Sequence, residues 1–147
     1  MSQYYDVGDR TLWNPSNGAS RLFRHQVAVF EAELGLPSGI GPMGADECAI
    51  DVAAFSLFVN ALVARHRRIS HQVIVALSDG FVATVLVLAE RAGLAVDLTA
   101  GEAADVGAPR DVQVPASAGL GPGPAGGDAW AAALRDRVRE LGRFMPC

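Results

Sequence analysis

Two long apolar runs separated by a short basic turn constrain this chain most. Ile50, Ala54, Leu57, Phe58, Ala61 and Leu62 recur at helical spacing, and Val52, Phe55, Val59 and Val63 make nearly a second face of the same helix. This helix is expected to start at Asp46, a natural cap, with Glu47 favourable beside its positive end. It ends in Arg65-His66-Arg67-Arg68, cations at the negative end. Capped by Ser70, the next helix carries Ile74, Leu77, Phe81, Val85 and Leu88 on one face, widened by Val73, Val82 and Leu86, and reaches about Ala92 before Gly93. Apolar almost all round, it belongs at the centre of a core or in a membrane. So short a connection predicts an antiparallel hairpin.

One helix precedes this pair. Phe23, Val27, Phe30 and Leu34 share a face, Gly35 stops the helix and Pro37 follows as a second breaker. Ahead of it, Tyr4 to Val7 and Thr11 to Trp13 are β-leaning runs around Gly8-Asp9-Arg10, a candidate short hairpin. Two strands alone are marginal, so the fold class expected is all-α with a three-helix core.

Beyond Val96 the composition shifts. Residues 99–127 are rich in Ala, Gly and Pro with almost no large apolar side chains, which reads as a linker or draped arm. Trp130, Leu134, Val138 and Leu141 then mark one side of an amphipathic helix that must dock on something. The expected organisation is a helical core domain over 1–96, a flexible arm over 97–127 and a C-terminal amphipathic helix over 128–147.

Hydrophobic residues make up 50% of the 147 residues. Such apolarity raises the question of an oligomer interface or a membrane contact. The 17-residue apolar stretch 73–89 is short for a span and holds Asp79 at its middle. A homodimer is therefore expected, and a membrane hairpin is not. A net charge of -4 argues against nucleic acid as a partner. All 12 basic residues are Arg, which with so much Ala, Gly and Val reads as the coding bias of a high-GC genome. Cys48 and Cys147 form neither a disulfide framework nor a metal motif, and the N-terminus lacks a signal-peptide pattern, so a reducing cytoplasm is expected.

The candidate sites are few. Asn60 and Asp79 interrupt the two apolar helices at the same level of the hairpin. They read as a hydrogen-bonded pair fixing register, as a polar anchor in an apolar pocket, or as residues facing different ways. The same level rule places Glu47 near Arg91, a salt bridge closing the open end. His25, His66 and His71 show no Glu-x-x-His pairing and no i, i+3 or i, i+4 spacing, so no metal is expected. Asp79 and His25 are the candidates for proton transfer if the protein is an enzyme, and no cofactor motif is present.

Leu12-Trp13-Asn14-Pro15-Ser16-Asn17-Gly18 is an unusually elaborate helix start. With Asn14 as cap, a hydrophobic staple from Trp13 would need an apolar partner where Gly18 stands. Trp13 must then pack elsewhere. The first turn carries no acid, and the nearest charge is Arg21, so free amides, Asn14, Asn17 and Arg21 suit a carboxylate or phosphate.

Tyr4-Tyr5-Asp6, Gly8-Asp9, the Leu12 to Gly18 motif and Gly39-Ile40-Gly41-Pro42 together resemble a family of short actinobacterial proteins of unknown function, over about residues 2–95. The resemblance implies no activity, cofactor or catalytic residue. The reading reached is a non-catalytic helical module, homodimeric, binding a small apolar or anionic ligand or a protein partner. Its ligand residues would be Trp13, Asn14, Asn17, Arg21, Asn60 and Asp79. The alternative is a cofactor-independent enzyme of secondary metabolism acting on an apolar metabolite.

Overall fold

The computed structural model describes residues 2–99 and 126–147. In chain order the elements are β1 (Tyr4–Val7), β2 (Arg10–Trp13), α1 (Asn17–Leu34), β3 (Glu47–Ala49), α2 (Val52–Arg68), α3 (Gln72–Arg91) and α4 (Gly126–Gly142). The three strands form one mixed sheet in the order β2-β1-β3, with β1 antiparallel to β2 and parallel to β3.

The fold is thus α/β, four helices with a mixed sheet, and the all-α expectation is corrected. The element that overturns it is β3. Asp46 does not cap a helix: Ala45 and Asp46 both take left-handed backbone, at φ 50° and 67°. That kink sends Glu47–Ala49 alongside β1, pairing Tyr5 with Cys48. Cys48 and Ile50 point inward while Glu47 and Ala49 point out, the period of a strand. Helix α2 starts five residues later than expected, where the Asp51 side chain accepts from the Ala54 amide at 3.0 Å.

Other boundaries follow local chemistry. Ser16, not Asn14, caps α1 by accepting from the Ala19 amide, and Gly35 closes it at φ 63°. The residue capping α3 is His71 rather than Ser70, and its side chain makes no capping bond. The expected arm falls mostly outside the described residues.

The core lies between the sheet and the helices. Tyr5 and Leu12 from the sheet meet Phe23, Phe30, Phe55, Phe58, Phe81 and Leu88. Phe30 of α1 and Phe81 of α3 stack at 4.4 Å with rings 4° from parallel. Helix α3 is long and apolar enough to cross a membrane, yet 50% of its most apolar window is buried inside the fold. Helix α4 packs on α3 through Ala131, Leu134 and Val138.

Two expected pairings are replaced. Arg91 does not meet Glu47. Its guanidinium donates to the carbonyls of Leu12 at 2.7 Å, Gly142 at 3.0 Å and Met145 at 2.7 Å, tying α3 to β2 and to the end of α4. Asn60 does not meet Asp79. Asn60 donates to the Ser56 carbonyl and accepts from the Asp97 amide, holding the chain beyond α3. Asp79 sits 3.6 Å from His66 and 3.3 Å from Arg137, between α2 and α4.

Both edges of the small sheet are covered. Past β2, the Asn14 amide donates to the Pro146 carbonyl at 2.8 Å. Past β3, the Gly41 amide donates to the Ala49 carbonyl at 2.9 Å, and Ile40 bridges to Ile50.

Candidate functional site

The groove that gathers the most chemistry runs along α1. It has a volume of about 630 Å³, inside the range of small-molecule sites. Asn17, Arg21, Arg24 and His25 line one wall, Glu31 stands at the far end of the helix, and Ile40, Gly41 and Pro42 form the facing loop. Gln3, just before β1, closes the near end.

Helix periodicity brings these side chains together. Asn17, Arg21, Arg24 and Glu31 recur at i, i+4, i+7 and i+14 on the face adjoining the one that buries Ser20, Phe23, Val27 and Phe30. Arg21 and Arg24 make no ion pair among the described residues, and the first turn of α1 contains no acid. Ser16 satisfies the Ala19 amide alone. The near half of the groove is therefore cationic, reinforced by the positive end of the helix.

The facing loop is fixed from three sides. Glu31 accepts from the Ser38 amide at 2.8 Å and from its hydroxyl at 2.6 Å. Gly39 takes φ 75°, and a Cβ there would lie 2.5 Å from the Asp51 carbonyl oxygen. The Cys48 thiol donates to the Gly41 carbonyl at 3.2 Å. Burial pushes the Cys48 thiol pKa up, against the lowering charge of Arg24, so Cys48 acts as a neutral donor rather than a thiolate. Glu31 Oε1 takes both loop bonds, and no carboxylate among the described residues forms an ion pair with Arg21 or Arg24.

Of the residues singled out from sequence, the structure brings Asn17, Arg21 and His25 to this one groove. Trp13 turns inward instead, 7% exposed, stacked on Tyr5 at 5.4 Å and edge-on to Phe23 at 5.3 Å. Asn14 is half-buried under the C-terminal residues. Asn60 and Asp79 lie on α2 and α3, outside the groove. Sequence reasoning missed Arg24, Gln3, Glu31 and the loop. The signal for Arg24 was its spacing of three from Arg21, which puts two cations on one helical stripe. Among the described residues no group of three or more His, Cys, Asp or Glu could hold a metal ion.

Fold and site together define a small α/β protein with an open, arginine-lined groove. The chain belongs to a family of unknown function, DUF6086, whose model matches residues 1–147. Comparison with curated proteins and with solved structures finds no match.

Proposed function

We propose that this protein is a binding module whose α1 groove takes a small anionic ligand, a carboxylate or a phosphate, without chemistry of its own. The observation that carries this is the pair Arg21 and Arg24, one turn apart, without an ion pair among the described residues, and facing a loop held by Glu31. Guanidinium groups hold carboxylate and phosphate oxygens in a forked geometry. His25 adds a donor and Asn17 an adaptable amide. The acid–base alternative rests on Asp79 or His25; Asp79 is engaged by His66 and Arg137, and His25 lines this groove, where the proposal gives it a binding role.

Titration calorimetry with inorganic phosphate and with citrate, at low salt, tests the proposal. Wild-type protein binds one of them, and Arg21→Ala with Arg24→Ala weakens it at least tenfold without changing the melting temperature. Equal affinity in the double variant would remove the groove from consideration.

Self-association is a second part of the reading. Leu22 and Val29 on α1 and Val73 and Leu77 on α3 are 57–74% exposed, and a groove floored by Phe30 and Ile74 runs between the two helices. Large apolar side chains left exposed in this number favour a partner. We propose a second copy of the chain there. Leu77→Arg should convert a dimer to a monomer in light scattering, and a monomeric wild type rejects the dimer.

A further inference from the structure

A second cleft opens between α3, α4 and the extended residues that follow α3. Its volume is about 540 Å³, and it shares no lining residue with the α1 groove. Leu86, Leu134 and Val138 form the floor, each 8% exposed or less. Leu94, Val96 and Leu98 form the side wall, alternating inward from an extended backbone while Ala95 and Asp97 face out. The mouth carries charge of both signs. Arg135 and Arg139 stand one turn apart on α4, opposite Glu90 of α3. Arg139 is shared with Asp136 at 3.1 Å, whereas Arg135 makes no ion pair or hydrogen bond among the described residues.

We infer that this cleft binds a medium-chain fatty acid, alkyl tail along the apolar floor and carboxylate at Arg135. A compact polar anion would leave the half-buried wall of Leu94, Val96 and Leu98 without a partner, and a neutral hydrocarbon would leave Arg135 without one. A carboxylate on an alkyl chain answers both. The floor is built from side chains that also dock α4 on α3, so the cleft is held by the fold itself. Small-molecule sites commonly combine such an apolar lining with a few polar groups at one end.

The test is calorimetric titration of the full chain with sodium decanoate, well below its micellar concentration, with butyrate as the short-chain control. Decanoate is expected to bind at one site and butyrate at least tenfold more weakly. Arg135→Glu, at an exposed position, should weaken decanoate at least fivefold. Val96→Trp, in the half-buried side wall, should obstruct the cleft and abolish binding. Circular dichroism melting checks that both variants remain folded. Absence of decanoate binding overturns the inference, as does binding that neither variant alters. If Arg21→Ala with Arg24→Ala removes decanoate binding and Arg135→Glu does not, the fatty acid occupies the α1 groove and the inference fails.

Discussion

Tyr5 and Ser20 share a 2.7 Å hydrogen bond between hydroxyls, both residues fully buried, joining the central strand to the first helix. Burial pushes the Tyr5 phenol pKa up, so the group stays protonated and the bond stays neutral. Tyr5→Phe keeps the ring on Trp13 but leaves the Ser20 hydroxyl alone, at a cost of about 1–2 kcal/mol. Ser20→Ala should cost a similar amount, and the double variant less than the sum. Urea unfolding of the four proteins, as a double-mutant cycle, measures the coupling.

Arg91 is expected to be the most consequential charged residue. It replaces backbone donors for three carbonyls in two separate segments. Arg91→Ala should destabilise the protein by roughly 3 kcal/mol, since each bond is charge-assisted and partly shielded. Arg91→Lys should recover only part of this, because an ammonium cannot present the planar fork. Denaturant midpoints of the three proteins decide the order.

Stability should fall on mild acidification through His66. The residue is 5% exposed, and burial lowers its pKa, outweighing the raising effect of Asp79. Arg65 pushes it in the same direction as burial. An unfolded chain takes up the proton near pH 6.5, and the folded one only at lower pH. Stability is therefore complete above roughly pH 6.5 and declines as pH falls toward the depressed folded value. Melting temperatures from pH 8 to pH 5 should show a steeper decline for wild type than for His66→Gln. Parallel curves would assign the acid sensitivity elsewhere.

Gly39→Ala should be strongly destabilising. The residue combines φ 75° with a position where a Cβ would press on the Asp51 carbonyl and on the Phe55 amide nitrogen at 2.7 Å. Neither atom can retreat, because both belong to the first turn of α2. A loss of about 2–4 kcal/mol is expected from left-handed strain and overpacking together. Gly18→Ala is the matched control, with open space around it and helical backbone, and should be neutral or slightly stabilising.

The helices were readable because their apolar side chains recur over four or five turns, as Phe23, Val27 and Phe30 do on α1. The strand Glu47–Ala49 was not readable on that basis. Three residues give a single inward side chain, Cys48, and no periodicity can be drawn from one point. Asp46 preceding Glu47 imitated a helix start, while the real cap, Asp51, stood behind it. Trp13 shows a different limit. Its failure to staple its own helix was legible, and this led to its being expected among the ligand residues. Which way the ring turns depends on Tyr5 and Phe23, which reach it only through tertiary packing. The α1 groove was half legible for the same reason. Asn17, Arg21 and His25 could be placed on one helix, but the opposing loop arrives by way of Cys48 and β3.

The sheltered flank of β2 has a consequence for how the molecule is made. The amide of Asn14 finds its acceptor at Pro146, and the Leu12 carbonyl finds Arg91. A ribosome that has delivered the hairpin must therefore add more than a hundred further residues before that flank is closed. Until then it exposes backbone groups capable of recruiting a strand from a neighbouring nascent chain. Truncation ahead of residue 142 should accordingly reveal itself first as aggregation during expression, before any loss of helical content.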